Sequence, residues 1–187
     1  MRDLVSSIEA EYQRYKGLGE GAISQLRDEE LCANGGASAN SVAVIVWHVS
    51  GNLASRFTDF LSTDGEKPWR DRDEEFMPRT ASRAELTAKW EQGWSVLLGT
   101  LATMSDADLA RTVTIRTQPL RVHEALHRSL SHTSYHVGQI VHIAKLARGD
   151  AWSSLSIPPG QSAAYNRAPT HEQARVHAAS VAKRDRG

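Results

Sequence analysis

Three histidines have the types and spacing to do chemistry. His132 and His136 are i,i+4 neighbours in an uninterrupted run from Arg121 to Arg148 that holds five of the chain's eight histidines. On a helix, that spacing stacks the two imidazoles on one side. His48 stands in an earlier apolar stretch and lies off its stripe by about the same angle, and in the same sense, as His132 does in the later one. Two helices packed along those stripes would bring the rings to a shared edge. Three neutral imidazoles with open positions suit Zn²⁺, Ni²⁺ or Fe²⁺ and disfavour Mg²⁺ or Ca²⁺. Gln139, one turn beyond His136, is a candidate to orient that ring or a substrate. No catalytic acid or base is identified. Thr133 follows His132 where a His-Glu-x-x-His protease has its glutamate, and acids at di-iron bundle spacing are missing.

Spacing alone does not decide the matter. His123 and His127 repeat the i,i+4 pattern toward the back of the same helix, with no third partner, and read as a solvated surface pair, as do His142, His171 and His177. On residue types, His48, His132 and His136 are either three structural histidines or one metal site. The charges between residues 64 and 75 read as a solvated face, with Arg70 and Arg72 the choices should that loop close over an anion. Cys32 has no nearby cation in sequence to activate it.

The elements that must position these groups are helices. Residues 3–27 carry Leu4, Ile8, Tyr12, Tyr15, Ile23 and Leu26 at helical spacing, although Gly17, Gly19 and Gly21 each weaken a helix by roughly 1 kcal/mol relative to Ala. After a turn-rich linker, Cys32 to Ala39, Asn40 or Ser41 caps a second helix running to about Leu61, with the stripe Val42, Val46, Val49, Leu53, Phe57 and Phe60. A charged loop, residues 62–80, follows; Trp69 and Phe76 imply that it docks on the body. Ser82-Arg-Ala-Glu85 is a capping box opening a third helix to about Met104, striped by Leu86, Trp90, Trp94, Leu97, Leu98 and Leu101. Residues 111–115 and 119–121 form a small β-hairpin turning near 116–118. The fourth helix is striped by Leu126, Leu130, Val137, Ile140, Val141 and Ala144, and Gly149 is placed for a left-handed cap. Beyond it, residues 157–166 read as irregular surface chain, and Thr170 opens a short final helix to about Lys183. The fold class is all-α, a four-helix bundle with a hairpin before its fourth helix, over residues 1–166, with 167–187 as a C-terminal extension.

Composition narrows the partners. The 22 basic and 22 acidic residues cancel, and no basic stripe stands out, which argues against nucleic acid. The longest apolar run, Val42 to His48, is too short for a bilayer, and the N-terminus lacks a signal-peptide core. One cysteine excludes an internal disulfide and fits a reducing compartment. The expectation is a cytoplasmic globular protein.

Val46-Trp-His48, then Asp64-Gly-Glu-Lys-Pro-Trp-Arg70, then His132-Thr-Ser-Tyr-His136-Val-Gly-Gln-Ile140 together resemble the DinB/YfiT-like superfamily, over roughly residues 5 to 166, and the loop motif points to its DUF1572 branch. The resemblance implies an up-down-down-up four-helix bundle, usually a homodimer. It implies a divalent metal held by one histidine of the second helix and two of the fourth, mapping to His48, His132 and His136. It also implies activities such as thiol-dependent S-transfer or isomerisation, in which a low-molecular-weight thiol meets a small-molecule substrate. With it the metal reading is favoured. A non-catalytic metal- or ligand-binding stress protein is the competing expectation.

Overall fold

The computed structural model describes residues 1–34 and 39–169, and four long helices carry its core. The first, α1 (Asp3–Gln25), runs unbroken through its three glycines. A Cβ on Gly19 would sit 2.7 Å from Trp90 Cζ2, so the residue that weakens the helix locally permits its close approach to a buried indole. After the single turn α2 (Asp28–Leu31) and the linker, the Ser41 hydroxyl accepts from the Val44 amide at 3.3 Å and caps α3 (Val42–Phe57). That helix stops four residues short of the expected Leu61. Asp59 takes a positive φ of 50°, and its carbonyl accepts the Ser62 and Thr63 amides, which turns the chain out of the helix.

The loop that follows holds one short helix, α4 (Arg72–Glu75), before the Ser82–Glu85 capping box opens α5 (Arg83–Thr103) as expected. A 3₁₀ turn, Asp106–Ala110, leads into the antiparallel hairpin β1 (Thr112–Ile115) and β2 (Gln118–Arg121). Then α6 (Val122–Arg148) carries the histidine pair and ends at Gly149, φ +51°. Within the segment 157–166, expected to be irregular, residues 162–166 instead belong to the short exposed helix α7 (Ser162–Arg167). The helix expected after Thr170 lies outside the described residues.

The expected stripes meet in one core, except that Leu4, at the start of α1, is 61% exposed. α3 packs on α5 and α1 on α6, burying Val46, Val49 and Leu53 against Trp90, Trp94 and Leu97. At about 1.5–3 kcal/mol per large apolar side chain, this burial is the main stabilising term. Tyr12 stands edge-on to Phe57 and Trp94, and its hydroxyl donates to the Leu126 carbonyl at 3.0 Å, tying α1 to α6 through the core. No helix among the described residues is long and apolar enough to cross a membrane.

The 62–80 loop is built into the fold by Asp64. Its carboxylate accepts amides from Glu66 (2.7 Å), Arg116 (2.8 Å) and Thr117 (2.7 Å). Arg116 and Thr117 form the hairpin turn, both with positive φ, a conformation that costs non-glycine residues and here is offset by the carboxylate. Gly65 extends the tie, accepting from Ser55 at 2.8 Å while its amide donates to Thr114. Trp69, expected to dock, is 58% exposed; Phe76 is the aromatic that packs inward.

These amides, Glu66 first, hold the Asp64 carboxyl down at about 2. A depressed acid contributes stability above its unfolded pKa of about 4 and loses it as pH falls toward 2. Asp64→Asn is therefore expected to lower the melting temperature at pH 7. The loss should be worth at most about 1 kcal/mol for a charge near the surface, and the gap from wild type should narrow between pH 4 and 2. Parallel melting curves across that range check it; a gap that does not change with pH would contradict this account.

Candidate metal centre

Where α3 crosses α6, His48 meets His132 and His136. The ring centroids are 5.1, 4.8 and 4.6 Å apart for the pairs 48–132, 48–136 and 132–136, and the rings stand nearly perpendicular to one another. One nitrogen from each of the three lies within 4.8 Å of the others. His48 and His136 are buried and His132 is half-buried. All three expected residues are brought together; His123, His127 and His142 are exposed elsewhere on α6.

Each ring's free nitrogen is set by what holds the other. His48 Nδ1 donates to Glu75 Oε2 at 2.9 Å, which leaves the Nε2 lone pair turned inward. His136 Nδ1 donates to Gln139 Oε1 at 2.8 Å, with the same consequence. Gln139 is thus bonded to the ring one turn before it. His132 Nε2 lies 3.1 Å from His48 Nε2, while its Nδ1 is buried with no hydrogen-bond partner among the described residues.

One of these distances fits a metal's coordination shell directly. Two bonds of 2.0–2.1 Å at tetrahedral or octahedral angles separate ligand nitrogens by about 2.8–3.4 Å, and the 3.1 Å pair falls in that range. The widest separation, up to 4.8 Å, exceeds that range, so holding an ion requires at least one ring to move toward the other two. Protonation also favours a metal. Burial foremost, then His136, His48, Arg70 and Arg56, pushes His132 down to about 3. His136 is lowered too, by burial and His48 against the bond to Gln139. Both rings are neutral at neutral pH, with lone pairs available to a metal.

Glu75 was not foreseen. The charged loop, read from sequence as a solvated face, sends Glu75 (5% exposed) and the Arg70 side chain (2% exposed) into the interior. Arg70 grips Glu75 through Nε and Nη2, both at 2.8 Å. Burial disfavours the charged carboxylate, but Arg70 and His48 outweigh it and hold Glu75 below the ordinary glutamate range. Arg70 is therefore committed to Glu75 and is not free to bind an anion. Phe76 covers the other side of His48 at 4.4 Å.

Gly51 is the sequence signal that was available. It lies one turn after His48, and a Cβ there would fall 2.1 Å from Glu75 Oε1, whose carboxylate is pinned by Arg70 and cannot swing away. Gly51→Ala should displace Glu75, destabilise the fold by about 1–3 kcal/mol and weaken metal binding by about 10–100-fold. Melting together with metal titration checks both effects; a variant that binds metal like wild type would contradict this placement of Glu75.

A cavity of about 400 Å³ opens over the three imidazoles and is walled by Asn52, Arg72, Arg128 and Tyr135 among others. A larger one, about 950 Å³, lies between α1, α6 and residues 152–157 and holds none of the three histidines. Cys32 is engaged structurally, its sulfur accepting the Ala81 amide at 3.2 Å.

No curated protein matches the chain. The family model described as "Protein of unknown function (DUF1572)" matches residues 1–161, from α1 to beyond the histidine helix, and the chain belongs to that family.

Proposed function

We propose that this protein is a metal-dependent enzyme of the DinB/YfiT-like type, a thiol-dependent S-transferase or a hydrolase. In this reading His48, His132 and His136 hold one divalent Zn, Ni or Fe ion. The observation that carries it is the pair of outer bonds, Glu75 to His48 and Gln139 to His136, which fix inward lone pairs on rings from two different helices. Bound there, such an ion lowers the pKa of a thiol or water that it ligates and so supplies a nucleophile at neutral pH. The chain's own part is to orient and to shield. Arg70 keeps Glu75 charged, Glu75 keeps the His48 proton on Nδ1, and Phe76 excludes water from that ring.

The same reading extends to the assembly: an up-down-down-up four-helix domain over residues 1–166 with a C-terminal extension, working as a cytoplasmic homodimer. It takes a small-molecule substrate and neither nucleic acid nor membrane.

One observation favours a second reading, a non-catalytic metal- or ligand-binding protein. Glu75, the carboxylate bonded to the site, is fully engaged and is not placed to act as a general base. A panel of low-molecular-weight thiols with electrophilic acceptors separates the two. Turnover requiring both metal and thiol is the expected result. Metal-loaded protein that binds thiols without turning any over would support the binder.

A further inference from the structure

The walls of the histidine cavity are strongly one-sided in charge. Five arginines, 56, 70, 72, 116 and 128, line it, and no aspartate or glutamate does among the described residues. Three of the five are answered by carboxylates behind the wall: Arg56 and Arg116 share Glu66, and Arg70 is held by Glu75. Arg72 and Arg128 have no carboxylate partner among the described residues. The five lining guanidiniums outnumber the two carboxylates paired with them, Glu66 and Glu75, by three.

The two unanswered arginines are placed to receive a ligand. Arg128 is one turn before His132 on α6, so Arg128, His132 and His136 follow one another along a single face at i, i+4 and i+8. Arg72 reaches the cavity from α4, its guanidinium 4.9 Å from the centre of the Phe76 ring, which itself lies over His48. Both are exposed at the cavity mouth, while the imidazoles lie on its floor. A guanidinium is a planar fork of donors matched to carboxylate or phosphate.

We propose that the cavity takes a small organic anion, with Arg72 and Arg128 holding its carboxylate or phosphate at the mouth and the reactive end directed to the three imidazoles. The proposal names the substrate class of the site described above, and its second half rests on the metal-dependent reading. The charge arithmetic and the placement of the two arginines do not.

Two titrations on the full chain test it. In the first, inorganic phosphate is titrated calorimetrically into metal-free wild type and into Arg72→Gln/Arg128→Gln. Loss of charge-assisted bonds from two guanidiniums should weaken binding about tenfold or more. Both residues are exposed, so melting curves of the double variant should match wild type and certify its fold. Absent phosphate binding, or equal binding in the two proteins, overturns the proposal. In the second, 3-mercaptopropionate is added to the cobalt(II)-loaded proteins and the cobalt absorption is followed. A sulfur-to-cobalt band in wild type that needs about tenfold more ligand in the double variant supports the anion site and the thiol reading together. Weakened phosphate binding with no change in the cobalt spectrum would leave the anion site standing and sink the thiol reading. A band equally easy to raise in both proteins would overturn the anion site and leave the thiol reading intact.

Discussion

Replacing His132 with alanine is expected to lower divalent-metal affinity by more than about 100-fold while leaving the metal-free protein within about 1 kcal/mol of wild-type stability. The first half follows because loss of an outer partner alone typically costs 10–100-fold, and His132 is proposed as a direct ligand. The second follows from what the ring does without metal. Its Nδ1 is buried without a partner among the described residues, and its Nε2 makes a single hydrogen bond, to the His48 Nε2 lone pair at 3.1 Å. A half-buried polar ring so poorly satisfied contributes little to folding. A structural histidine would behave oppositely, with stability falling and no metal-linked effect. The same substitution should abolish the rise in melting temperature that saturating metal gives wild type, which at a hundred times Kd amounts to about 2.7 kcal/mol. Calorimetric titration with Zn²⁺ or Ni²⁺, paired with melting in chelator, measures both halves.

Glu75→Ala should be the most destabilising single change at the site, by about 3–5 kcal/mol. Removing one member of a buried ion pair strands the other, and the Arg70 side chain is only 2% exposed. Glu75→Gln should be milder, since an amide still accepts from Arg70, but the uncompensated charge remains. Both variants should lose metal affinity by about 10–100-fold, because the bond that fixes the His48 proton on Nδ1 is weakened or gone. Stability and metal binding can be separated with Arg70→Met/Glu75→Leu. An apolar pair of similar volume commonly restores stability, so this double variant should melt near wild type and still bind metal weakly. Recovery of both properties would show that Glu75 matters only to the fold. Recovery of neither would show that the pair supports the local backbone.

What was legible in the sequence follows from periodicity. The four stripes, the capping residues Ser41 and Ser82, the hairpin and the meeting of His48 with His132 and His136 all depend on regular spacing along helices or strands, which the chain displays directly. The contact of Gln139 with His136 follows from the same spacing, one turn apart. Glu75 and Arg70 were not. They sit in a run of alternating charge whose usual fate is solvation, and their burial depends on a three-dimensional coincidence: Gly51 on α3 leaves a gap where α4 folds over. Trp69 misled for a related reason. Its size argues for burial, yet the loop is tied down by Asp64 and Phe76, and the tryptophan is left facing out. The end of α3 was placed too late because Phe60 continues the apolar stripe, whereas the backbone leaves the helix at Asp59.

The most direct measurement is X-ray absorption at the metal edge of the Zn²⁺- or Ni²⁺-loaded protein, before and after His132→Ala. Wild type should show one ion with three imidazole nitrogens at about 2.0–2.1 Å and lighter ligands completing the shell, and the variant should lose one imidazole or the ion altogether. An ion bound through sulfur or carboxylates alone, or an imidazole count that the substitution leaves unchanged, would show that His48, His132 and His136 are neighbours that do not hold a metal.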